Sequence, residues 1–239
     1  MRKEMLYVLC LCVFGLLFAA AASADTITYV TPTGSTTSGG AVDASATFVT
    51  GDGTVAITLT DLQANPKDVA QLISDLDFTL SNGATFGTLA SISGQEITVN
   101  SDGSTTLGGT SPTHWFLNNN VSGGLQLDAL GHGHPKDLII GPSGSGGMYT
   151  NAKGSIAGNG PHNPFIDGTA TFLVDVAGVT VNTAIDSAVF SFGTSTKKPI
   201  NVDGTPQQTP VVPEPPSLVL LGTGLLVLAG AFKAKLLVA

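Results

Sequence analysis

Ala44-Ser45-Ala46-Thr47-Phe48-Val49, Thr50-Gly51-Asp52-Gly53 and Thr54-Val55-Ala56-Ile57-Thr58-Leu59-Thr60 read as a strand, a turn and a second strand. In the second strand Val55, Ile57 and Leu59 fall on one face, with Thr54, Thr58 and Thr60 on the other. That is the period-2 alternation of a strand with one core face and one wet face. The glycine-flanked Asp52 supplies the backbone freedom a hairpin turn needs. The hairpin decides the fold class, because short apolar stretches alternating with Thr and Ser recur along the chain while long runs of helix formers are scarce.

Upstream, Thr26–Val30 alternates and opens the first sheet, with a Gly/Ser/Thr loop from Pro32 to Gly40. Downstream, Asp68–Leu76 carries Val69, Leu72, Ile73 and Leu76 at helical spacing, and a loop running into a strand Leu76–Leu80 explains the same residues equally well. Phe86–Ile92 and Glu96–Asn100 read as a strand pair across Ser93-Gly94-Gln95. Leu125–Leu130, Leu138–Ile140, Thr169–Val176 and Ala188–Phe192 complete the strands. From 197 to 211 the chain turns rich in Pro, Gln and Thr and reads as a linker. The expectation is an all-β, single antiparallel β-sandwich body over 25–196, long enough to bury its own core.

Between Asp25 and Val211 stand 15 acidic residues against 5 lysines and no arginine, a net charge near −10. Nucleic-acid binding needs Lys and Arg to neutralise phosphates, so it is set aside. Catalysis is disfavoured as well. Glu96 is the only glutamate of the body, no Asp spacing singles out an acid/base couple, and no Ser sits in a Gly-x-Ser-x-Gly elbow. Gly141–Gly147 lacks the Lys-Ser/Thr ending of a phosphate loop. No catalytic residue and no cofactor are assigned.

Two stretches carry candidate contacts. His114-Trp115-Phe116-Leu117 followed by Asn118-Asn119-Asn120 has the aromatic and amide groups of a sugar-binding face, in which a ring stacks on pyranose C–H groups and Asn pairs with hydroxyls. Trp115, Phe116 and Asn118 are the candidate ligand contacts, and the alternative for the single Trp is a core anchor. Gly131-His132-Gly133-His134-Pro135-Lys136-Asp137 is the most metal-like string, with His162 as a remote further ligand. Its glycines and Pro135 make it a flexible loop, and no metal is assigned. Thr-x-Thr strings at Thr26-Thr28, Thr58-Thr60 and Thr169-Thr171 are scattered, with no repeat to build a flat array.

The two ends read as processing signals. Met1–Ala24 has a basic start, an apolar stretch from Leu6 to Ala21 and the small-x-small site Ala22-Ser23-Ala24, predicting cleavage before Asp25. Both cysteines, Cys10 and Cys12, lie inside it, so the mature chain would hold no thiol. At the other end Pro213-Glu214-Pro215-Pro216 precedes an uncharged apolar run, a membrane helix over about 217–232, and the flanking lysines Lys233 and Lys235. The run from Leu218 to Phe232 makes only about 22 Å of helix against a hydrocarbon core of about 30 Å, so snorkelling lysines and a thin or tilted span are needed.

Pro213-Glu214-Pro215, an apolar segment such as Leu220-Leu221-Gly222-Thr223-Gly224-Leu225-Leu226, and basic residues at the end together resemble the PEP-CTERM sorting signal of Gram-negative bacteria, over 212–239. The same type of tail is catalogued as the C-terminal domain of ice-binding proteins. The usual arginine cluster is here two lysines followed by Leu236-Leu237-Val238-Ala239. The resemblance implies export, recognition of Pro213, Glu214 and Pro215 by an exosortase, anchoring by the C-terminal helix, and association with exopolysaccharide. The body resembles the β-sandwich bodies found on PEP-CTERM proteins and is similar to cohesin-like sandwiches, so a jelly-roll or cohesin-like topology is expected. The implied function is a non-enzymatic surface or matrix protein, with a carbohydrate-binding module or an ice-binding protein as alternatives.

Overall fold

A computed structural model describes residues 26–131, 135–195 and 200–207. The signal segment with Ala22 and Ala24, the histidines His132 and His134, and the whole tail with Pro213, Glu214, Pro215, Lys233 and Lys235 lie outside them. Among the described residues no helix is long and apolar enough to cross a membrane, and the only helical pieces are the 3₁₀ turns Val69–Gln71 and Ser145–Gly147.

The remainder is strand and loop. In chain order the strands are β1 (Thr26–Val30), β2 (Thr36–Thr37), β3 (Gly40–Ala41), β4 (Ala44–Gly51), β5 (Thr54–Asp61) and β6 (Ile73–Leu80). Then come β7 (Thr88–Ser93), β8 (Glu96–Val99), β9 (Thr105–Leu107), β10 (Phe116–Val121), β11 (Gly124–Asp128) and β12 (Ile139–Ile140). The last are β13 (Phe165–Asp167), β14 (Thr169–Asp175), β15 (Ile185–Phe192), β16 (Ile200–Asp203) and β17 (Thr205–Gln207). One sheet runs β17-β1-β4-β5-β14-β7. The second is centred on β6, with β15 and β16 on one side and β11-β10 and β12-β13-β8-β9 on the other. All pairings are antiparallel except β12 with β13.

The inner faces of both sheets supply one core. Phe48 of β4 is fully buried and lies 5.5 Å from Phe78 of β6 across the gap. Tyr29 packs edge-on to Phe48, and its hydroxyl donates to the Ile185 carbonyl of the second sheet at 2.9 Å. A satellite core of Leu72, Ile97, Val99, Leu138, Ile140, Tyr149, Ile156 and Phe165 fills the region under the long loops. A buried Phe or Leu contributes about 1.5–3 kcal/mol by leaving water, so these contacts dominate the folding energy.

The opening hairpin forms in full, with Ala44 paired to Asp61 and Gly51 to Thr54. One open reading is resolved and two expectations are corrected. Val69–Gln71 is a single 3₁₀ turn, capped by Asp68 on the Ala70 N–H, after which the chain enters β6. β7 and β8 do not pair, because β7 joins β14 in the first sheet whereas β8 joins β13 and β9 in the second. The crossing occurs at Gly94, where a Cβ would come within 2.7 Å of Ile166. Finally, part of the expected linker belongs to the body: β16 pairs with β15, and β17 pairs with β1. Gly204 carries the chain between the sheets at a point where a Cβ would lie 2.9 Å from the Ala188 carbonyl. Pro206 is tolerated because β17 is an edge strand.

Candidate functional site

Three polar constellations stand out. The first surrounds the expected aromatic contact. Trp115 is only 4% exposed, packs at 5.1 Å against Phe172, and donates its indole N–H to the Asp137 carbonyl at 2.7 Å. It is a core anchor, which removes it as a stacking platform for sugar. Phe116 is half-buried and lies over Gly131, where any side chain would collide with its ring. Asn118 is engaged inside the protein, its Nδ2 donating to Gln126 Oε1 and Asp128 Oδ2 at 2.9 Å each.

Asp137, from the metal-like string, is fully buried at a positive φ of 58°. Its Oδ2 accepts the N–H groups of Thr113 and His114 at 3.1 Å and faces His114 Nδ1 at 2.8 Å. The carboxylate therefore folds Thr113–Trp115 onto the following loop. His162 places Nδ1 2.9 Å from the Pro135 carbonyl. Among the described residues no group of three or more His, Cys, Asp or Glu side chains is arranged to hold a metal ion.

The second constellation is acidic and lies on the outer face of the second sheet. Register sets Asp75 opposite Asp128 and Asp77 opposite Gln126, with Asn118 across from Gln126. Asp75 is 3% exposed and its Oδ1 has no partner. Burial, and then the carboxyl of Asp128 beside it, push its pKa up to about 8, so Asp75 keeps its proton at neutral pH. Asp77 is also raised, chiefly by burial, against the lowering effect of the Gln126 amide.

The third constellation is uncharged and was invisible in the sequence. On the outer face of the first sheet the register aligns Thr28, Thr47, Thr58, Thr171 and Ser93 in one row across β1, β4, β5, β14 and β7. A second row holds Val30, Ser45, Thr60 and Thr169, and a third holds Val49, Ala56, Leu173 and Ser91. The Thr-x-Thr strings that read as scattered are thus brought together in one sheet, on the neighbours β5 and β14 and, beyond β4, on β1. Hydroxyl pairs bridge the strands at 2.9 Å between Thr28 and Thr47, 3.0 Å between Thr60 and Thr169, and 2.6 Å between Ser93 and Thr171. Alternation alone marks Thr58 as outward. Its cross-strand neighbour Thr171 is more than a hundred residues away, and such pairing leaves no local signal. Comparison with protein-family models, with curated proteins and with solved structures finds no match.

Proposed function

We propose that the chain is an exported, non-enzymatic surface or matrix protein, sorted by its C-terminal tail and associated with exopolysaccharide. In this reading the two facing sheets are a β-sandwich of jelly-roll or cohesin-like kind, cargo between a removable signal peptide and an exosortase-recognised tail. The supporting observation is the pairing of the first and last described strands, Thr28 opposite Gln207 and Val30 opposite Thr205. A body closed by its own ends needs neither terminal signal for its core, and both can be processed without unfolding it.

The test tags the body near Thr36 and follows size and fractionation in hosts with and without the exosortase. An enzyme-dependent drop in size is expected. Replacing Glu214 by Ala, or deleting 218–239, should change membrane retention and leave the thermal midpoint of the body unaltered. One full-length membrane species in both hosts, with unchanged fractionation of the variants, overturns the sorting reading.

The hydroxyl rows bear on the alternative of ice binding, since strands and alternate residues give a grid of about 4.8 by 6.8 Å. Sheet twist of roughly 20–25° per strand weighs against it, turning the ends of a five-strand row by about 80–100°. A rigid crystal facet then meets only a few strands, and a freezing-hysteresis assay is expected to be negative.

A further inference from the structure

We propose that the outer face of the six-stranded sheet is the surface on which this protein binds polysaccharide, and that the polymer is neutral. The inference rests on the exopolysaccharide association proposed above and assigns to it a site and a ligand class.

Charge is the first argument. The body carries 15 acidic residues against 5 lysines, yet no ionisable side chain stands in the three rows through Thr28–Ser93, Val30–Thr169 and Val49–Ser91. Asp175 lies at the margin, opposite Thr54. A polyanion approaching this body meets its net negative charge, whereas a neutral chain can lie on the face without desolvating a carboxylate.

The second argument is the match of chemistry. A sugar polymer presents hydroxyl edges and C–H faces in alternation. The face presents a hydroxyl row beside the aliphatic row Val49, Ala56 and Leu173, with Leu173 36% exposed. Adjacent rows lie about 7 Å apart, the rise of two strand residues. A flexible polymer can follow the twist that excludes a flat crystal.

Preorganisation is the third. Threonine is stiff at χ1, so its hydroxyl is displayed at little entropic cost on binding. Thr28 with Thr47 and Thr171 with Ser93 are held by mutual hydrogen bonds on either side of Thr58. Thr58, exposed at the centre of the row, makes no hydrogen bond with its hydroxyl among the described residues. It is the group most ready to bond a ligand.

The experiment is affinity electrophoresis of the full chain through gels containing neutral galactomannan or, in parallel, polyanionic alginate. Variants are Thr58→Val with Thr171→Val, which keeps shape and strand propensity, and Thr58→Glu, which puts charge on the face. Thr105→Val, an exposed hydroxyl of β9 in the other sheet, is the control. The expected result is retardation by galactomannan, weakened roughly tenfold in the double variant through loss of two hydrogen bonds, and retained in the control. Unchanged thermal midpoints separate this from misfolding, and the double valine variant decides should Thr58→Glu fail to fold. Equal retardation of all variants overturns the face as the site and leaves the association standing. Preference for alginate overturns the neutral ligand. Retardation of the parent chain by neither polymer overturns the association itself, and with it the inference.

Discussion

Replacing Asp75 by Asn should make the protein more stable at alkaline pH and flatten its pH dependence. Asp75 sits in the middle of β6, nearly inaccessible, with one oxygen unpartnered and the other near Asp128. Its pKa is raised to about 8, first by burial and then by the neighbouring carboxyls of Asp128 and Asp77. Below about pH 4 the carboxyl is protonated in both the folded and unfolded chains. As pH rises from there to about 8 the unfolded chain releases the proton and the folded one retains it, so stability falls across that window and the loss is complete above it. The ceiling is on the order of 5 kcal/mol. For a chain of this size that corresponds to a thermal midpoint lower by on the order of 10 °C at pH 8.5 than at pH 5. The carboxamide is neutral at both pH values and can donate to Asp128, so the variant should lose most of the slope. Raised Asp61, Asp77 and Asp167 leave a residual slope of the same sign. Thermal unfolding followed by circular dichroism checks this. A parent midpoint that is flat or rises from pH 5 to 8.5, or an equal slope in Asp75→Asn, refutes the reasoning.

Asp137→Ala should destabilise by about 3 kcal/mol, since it strips the acceptor from the Thr113 and His114 N–H groups and from His114 Nδ1; urea unfolding reads the difference. Trp115 should emit at short wavelength, resist acrylamide quenching and stay unchanged on adding galactomannan, because its indole is buried and bonded to Asp137. Phe48→Ala should cost about 3–5 kcal/mol, as the residue fills the space between Tyr29 and Phe78. Truncation before Ile200 should lower the thermal midpoint by removing β16 and β17, while truncation after Gln207 should leave it in place.

Local pattern revealed long strands such as β4, β5, β14 and β15, missed β10, β13, β16 and β17, and showed little of their order. Val55, Ile57 and Leu59 are buried as their alternation requires, and the turn at Asp52 closes the hairpin it predicts. Where pairing is distant, nothing nearby in the sequence announces it: β14 inserts between β5 and β7, so a reading that paired β7 with its successor failed. Composition misled at the linker. Ile200 and Val202 alternate with Asn201 and Asp203 as a strand should, but the prolines and glutamine around them signalled an extended tether. For Trp115 the sequence left two readings, and the core anchor is the one that the structure shows. An aromatic followed by amides looks alike whether it faces solvent or core, and the partner that decides it, the Asp137 carbonyl, lies 22 residues on.

Five of the fifteen acidic residues of the body shape its loops. Asp61, Asp68, Asp102 and Asp128 each accept the N–H of the residue two positions on, closing Asx turns at Gln63, Ala70, Ser104 and Leu130. Asp137 does the same work across a longer gap through Thr113 and His114. Among the described residues the single acid–base contact is His114 with Asp137. Each of these carboxyl groups has at least one oxygen bonded to backbone N–H. The three hydroxyl and aliphatic rows of the six-stranded sheet hold none of these aspartates, so substitutions there should alter binding while substitutions of the Asx-turn aspartates alter folding.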